Sequence, residues 1–264
     1  MSQATVTTPI ISSPADPIRI VPLHDPNKLH LPTAEAGPAA PPHLTYRNGP
    51  LLANVQIYTL FWGAAWQQAP NSSLANSLND FFKFIVTSPL IDRLAEYNTP
   101  HYTIGHGKFL GTTTIPTPAP HKTVTDAALQ HFLQQELSSN PALPKPSPST
   151  LYFIYTPPGV AIVQGGSSSC KAFCGYHSNI GNSIFYAAMP YAGCPGCLGG
   201  MSALDALTGT SSHELCEAIT DAIPGTGWYD DNNGEIGDIC AWHFKKLGPW
   251  NVQLEWSNKS GKCV

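Results

Sequence analysis

The run Thr150-Leu151-Tyr152-Phe153-Ile154-Tyr155 constrains this fold more than any other stretch of the chain. An unbroken apolar run of this length, bounded by prolines, is the mark of a strand in the middle of a sheet. Two further segments read as strands. In "NVQIYTLFWG", Val55, Ile57, Thr59 and Phe61 alternate with Gln56, Tyr58 and Leu60 and stop at Gly63; the other is "SIFYAAMPY". "HYTIGHGKFLGTTTI" reads as strand and "NVQLEWS" as a last strand, while Asn233-Gly234 is a hairpin turn signal.

Between these lie helical periods. Leu74, Leu78, Phe81, Phe82 and Ile85 recur at helical spacing, Ser88-Pro89 caps and starts a short helix to Tyr97, and Leu129, Phe132, Leu133 and Leu137 form an inward stripe. A last helix covers about residues 202–221. The alternation predicts one α/β (α+β) domain, a mixed sheet with packed helices, over residues 51–264. Residues 1–50 hold ten of the 26 prolines and no sustained periodicity. They read as a Pro-rich disordered tail or pro-region.

Charged residues make up only 11% of the 264 residues, and the formal net charge is -4. This balance gives no reason to expect a nucleic-acid or anionic-membrane partner. No apolar run reaches the roughly 20 residues that span a bilayer, and the N-terminus has no signal-peptide pattern. The sparse charge, seven cysteines and the sequons at Asn71 and Asn258 nevertheless lean towards an extracellular protein.

"SSHELCEAITD" carries the chemistry. It opens like H-E-x-x-H, but Glu217 replaces the second histidine. Residues four apart share a helix face, so His213 and Glu217 can offer an imidazole and a carboxylate to one cation. Glu214 projects about 100° away, placed to take a proton from water activated there. The plain alternative is the solvated face of an ordinary helix. Against it, 73 consecutive positions between Lys171 and Lys245 contain neither lysine nor arginine. The same span holds Asp205, Glu214, Glu217, Asp221, Asp230, Asp231, Glu235 and Asp238. Such a group must stay solvated, raise its pKa values or hold a cation. Asp221 extends the row but lies about 12 Å from His213 on an unbroken helix. In "GEIGDIC", Asp238 is the expected third ligand and Glu235 its substitute or supporting partner, with Gly237 allowing a close backbone approach. His177 could serve as a further ligand or an oxyanion helper, but it reads rather as a structural histidine held near a cysteine cross-link, and His243 reads the same way; Tyr229 reads as aromatic packing rather than an oxyanion stabiliser.

"SSHELCEAITD", "GWYDDNNGEIGDIC" and "VQLEWSNKSGKCV" resemble a group of microbial proteins with a zincin-like H-E-x-x-E helix. "FCGYHS" and "CPGC" are more distantly similar to the secreted EXORDIUM (phosphate-induced) proteins. The resemblance spans about residues 50–264. The zincin likeness implies His213 and Glu217 as ligands and Glu214 as catalytic base. The EXORDIUM likeness implies an extracellular or wall-associated role.

Cys170, Cys174, Cys194 and Cys197 have nearly the spacing of a four-thiolate zinc site. In an oxidising compartment they make two disulfides instead, with Cys240 and Cys263 a third and Cys216 left over as a small buried thiol. The family likeness favours the disulfides. The expected activity is metal-dependent hydrolysis of a peptide or protein by zinc-activated water. The alternative is a non-enzymatic extracellular binding protein with a structural calcium site.

Overall fold

The computed structural model describes residues 21–22 and 41–264. Five strands form the central sheet: β1 (Gln56–Trp62), β2 (Lys108–Ile115), β3 (Thr150–Tyr155), β4 (Tyr176–Ile180) and β5 (Ile184–Met189). Their spatial order is β2-β1-β3-β5-β4. The first four of these run parallel, and β4 returns antiparallel beside β5. The apolar run at 150–155 is the middle strand, and all six of its residues are buried.

Alternation along the strands feeds two cores, because successive side chains point to opposite faces. Ile57, Phe61, Phe153 and Tyr155 pack with Leu78, Phe81, Phe82 and Ile85 of helix α1 (Asn71–Ile85). Tyr58, Leu60, Tyr152 and Ile154 pack on the other face with Leu129, Phe132, Leu133 and Leu137. Those four belong to α3 (Asp126–Ser139), which follows the short α2 (Pro89–Arg93). Helices therefore cover both faces of a mixed sheet, an α+β arrangement. The Ser88 cap holds, its hydroxyl accepting from the Leu90 amide.

Helix α4 (Ala203–Thr220) begins at Ser202, whose hydroxyl accepts from the Asp205 amide. It lies on the α1 side of the sheet, where Tyr155 and Ser211 share a 2.7 Å hydrogen bond. A hairpin of β6 (Phe244–Leu247) and β7 (Trp250–Gln253) closes its other side. The Gln253 amide donates to the Ser212 hydroxyl at 2.9 Å.

Three details differ from expectation. "HYTIGHG" contributes no strand, and pairing begins only at Lys108. Asn233-Gly234 ends a tight turn closed by one isolated antiparallel bridge, in which Asp230 and Gly234 exchange both backbone hydrogen bonds, and not by a pair of strands. Asp230 Oδ1 also accepts from the Asn232 and Asn233 amides. "NVQLEWS" divides into β7 and a separate pair, Trp256–Ser257 with Lys262–Cys263.

Most of the proline-rich tail falls outside the described residues, but its last part belongs to the fold. Thr45 and Tyr46 pair with Tyr229 and Trp228, and Leu44 is fully buried. Asn258 grips Leu44 through both its amide atoms, donating to the carbonyl and accepting from the N–H. Earlier still, Val21 exchanges hydrogen bonds with Cys174 and Gly175.

Candidate metal centre

Three disulfides fix the loops around α4: Cys170–Cys194, Cys174–Cys197 and Cys240–Cys263. The pairing replaces the four-thiolate alternative and leaves Cys216 free and buried. Burial pushes the Cys216 thiol well up, and the neighbouring Glu255 reinforces this.

The acidic stretch divides in two. Asp205 and Asp231 are answered from outside it, by Lys246 and Arg47, each at 2.6 Å. The solvated helix face does not exist, because every residue of α4 from Ala206 to Thr220 is buried. His213, Glu214 and Glu217 expose 0–1% of their surface, and Asp221 and Glu235 none. No lysine or arginine from the stretch reaches them, because it contains none.

The structure brings His213, Glu217 and Asp238 together, each offering a ligand atom within 4.8 Å of the others. Helical spacing supplies the first two, with His213 Nε2 2.8 Å from Glu217 Oε1. Gly237 supplies the third. A Cβ there would stand 2.8 Å from His213 Nδ1 and 2.9 Å from Glu217 Oε1, so only glycine lets the 235–238 loop come this close. The Asp238 amide donates to Glu217 Oε1 at 3.1 Å, and Asp238 Oδ2 accepts from the Glu235 amide at 3.0 Å.

Glu235 itself lies outside that trio. Its Oε1 is 3.5 Å from His177 Nε2, and neither of its oxygens has a hydrogen-bond partner among the described residues. Asp221 ends the helix as foreseen but turns away from His213. Its carboxylate accepts from the amides of Gly225, Thr226 and Gly227, tying down the loop after α4.

His177, read from the sequence as structural, stands at the middle of the cluster. Its Nδ1 is 3.4 Å from Glu214 Oε2 and 3.5 Å from Glu217 Oε2. These three residues form a second group able to hold a metal ion. The sequence signal was alternation in "GYHS". Tyr176 points to the α3 core, where its hydroxyl donates to Asp126, so His177 must face α4. The other two candidates stay apart from the cluster: His243 is exposed, and Tyr229 lies under the Arg47 guanidinium at 4.5 Å.

Electrostatics follow from burial. Desolvation pushes Glu214 and Glu235 up, Glu235 strongly. Desolvation acts the same way on Glu217, but His213 and His177 outweigh it and bring this carboxyl down to about 2. Burial opposes charge on both imidazoles, yet the surrounding carboxylates raise both well above the usual histidine range.

No protein-family model, curated protein or solved structure matches the chain. The functional reading therefore rests on the site itself.

The donor set fits a divalent cation. His213 Nε2, His177 Nδ1 and both oxygens of Glu214 and of Glu235 are buried without a hydrogen-bond partner among the described residues. Unsatisfied buried polar atoms are costly, and a cation is a group that would satisfy several of these at once.

Proposed function

We propose that this protein is a metal-dependent hydrolase of the zincin type, most simply an endopeptidase working in an oxidising, extracellular setting. His213, Glu217 and Asp238 hold a zinc ion, and Glu214 is the base. The observation that carries the reading is the approach of those three ligands to one another in an interior that buries no lysine or arginine among the described residues.

The cation, when bound, supplies Lewis acidity to a water and to the scissile carbonyl. The chain's own residues do the rest. Glu214 follows His213 directly on α4 and receives no hydrogen bond among the described residues, so its oxygens can take a proton from water. Burial raises its pKa, which makes it a stronger base than a solvated carboxylate and lets it pass the proton on to a leaving amine. Gln253 backs His213. Its Oε1 accepts from the Trp242 amide, while its Nε2 donates to the Gly237 carbonyl and stands 2.8 Å from His213 Nδ1. With its side-chain oxygen turned to Nδ1, Gln253 would accept from the ring and so fix its orientation and tune its strength as a ligand.

One observation favours a second reading, a structural calcium site in a binding protein. Two of the three ligands and the base are closed off, with His213, Glu217 and Glu214 at 0–1% exposure, while Asp238 is half-buried. The 610 Å³ cavity is elsewhere, lined by Val160, Lys171, Tyr191 and the Cys170–Cys194 disulfide. Oxygen-rich sites suit calcium.

Glu214→Gln separates the two. In the hydrolase it keeps the metal and loses roughly 10²-fold or more in peptide hydrolysis, the scale of general-base help. A wild-type protein that cleaves no peptide library with any divalent metal added contradicts the hydrolase reading.

A further inference from the structure

We infer that the protein has a second divalent-cation site, formed by His177 Nδ1, Glu214 and Glu217 Oε2, and that filling it inhibits hydrolysis by taking Glu214 away from its role as base. The inhibition rests on the hydrolase reading; the site does not.

The His177 tautomer is the first support. Its Nε2 lies 3.1 Å from the Asp221 carbonyl oxygen, an atom that can only accept, so Nε2 carries a proton. In the neutral ring this leaves a lone pair on Nδ1, the form that binds metals, and a backbone carbonyl on the other nitrogen is the usual way that form is fixed.

Spacing is the second. The contacts of Nδ1 with Glu214 Oε2 and Glu217 Oε2, at 3.4 and 3.5 Å, leave Nδ1 and Glu214 without a hydrogen bond. Two ligands of a tetrahedral zinc with bonds near 2.1 Å stand about 3.4 Å apart. His213 and Glu217, at 2.8 Å, are closer than that and touch each other directly.

Backbone placement is the third. Gly175, one residue pair before His177 on the same strand face, comes so near α4 that a Cβ would be 2.8 Å from Thr210 Cγ2 and 3.2 Å from Glu214 Oε1. That approach sets His177 against the helix at the level of Glu214 and Glu217.

Glu217 belongs to both groups, through Oε1 towards His213 and Oε2 towards His177. It would bridge the two cations, as carboxylates do in two-metal sites with ions about 3.5–4 Å apart. The first cation leaves Glu214 free. The second takes it as a ligand.

The test is zinc content per chain after dialysis against rising free zinc, with peptide hydrolysis followed in parallel. Wild type should pass from one zinc to two, and its activity should fall at least tenfold over the second step. His177→Gln keeps a donor for the Asp221 carbonyl but removes Nδ1. It should stop at one zinc and stay active at high zinc. Anomalous diffraction at the zinc edge from wild-type crystals grown in high zinc should show two peaks, so the proposal does not depend on the variant folding. One peak, saturation of wild type at one zinc, or two zincs in a folded His177→Gln protein overturns it. Two zincs, one lost with His177, in a protein that hydrolyses nothing would uphold the site and reject the hydrolase reading instead.

Discussion

Gln253 Nε2 stands 2.8 Å from His213 Nδ1 and donates to the Gly237 carbonyl at 2.9 Å, joining strand β7, helix α4 and the 235–238 loop through one side chain. A cation on Nε2 of His213 needs the proton on Nδ1, and so an acceptor facing that atom. Loading the site therefore requires the Gln253 amide to turn its oxygen to the ring. Gln253→Leu, which offers no acceptor, should weaken zinc binding by about 10–100-fold, the usual scale for a partner behind a ligand. Competition with a chelator of known affinity measures this; an unchanged constant removes Gln253 from the account.

Gly237→Ala probes the close approach of the loop. Its Cβ meets His213 Nδ1 and Glu217 Oε1 within 3 Å, so the loop must retreat and carry Asp238 with it. The expected loss is about 1–3 kcal/mol of stability, together with the zinc. Denaturant unfolding and elemental analysis read the two effects separately.

Cys240–Cys263 ties the end of this loop to the final strand pair. Removing it as the double serine variant should cost about 2–4 kcal/mol and loosen the Gly237 approach as well. Cys216 should resist thiol reagents until the protein unfolds, because it is fully buried and its thiolate is disfavoured.

Much of the fold was legible because hydrophobic period is a local signal. The α1 and α3 stripes, the alternation of β1 and the apolar run of β3 each report their own burial. The site was legible only in part. His213, Glu217 and Asp238 fall together because helical spacing and one glycine bring them there. His177 was missed because its importance comes from the antiparallel return of β4 beside α4, a pairing that no short motif encodes. Burial of the helix's acidic face was also hidden, because the strand pattern of the β6–β7 hairpin does not say which face of which helix it will cover.

The tail boundary shows the same limit. Leu44 lies seven residues inside the proline-rich segment, yet it is fully buried and held by Asn258. Leu44→Ala should cost about 2–4 kcal/mol, as for other buried leucines. A chain starting at Leu51 should melt well below one starting at residue 41. Equal melting temperatures would show that Leu44 packing is dispensable. Asn258 should carry no glycan despite its sequon, since its amide nitrogen is committed to the Leu44 carbonyl; mass spectrometry of protein from a eukaryotic secretory host decides this.

The central claim is that the buried cluster on α4 holds a divalent cation, and Glu217 is the residue both halves of the cluster share. Elemental analysis of protein purified without added metal tests it most directly. Wild type should contain about one zinc per chain, and Glu217→Gln, which keeps the size of the side chain but loses its charge, should contain none. Wild-type protein that is free of metal and melts identically with and without a chelator, or a Glu217→Gln protein that retains its zinc, would contradict the account.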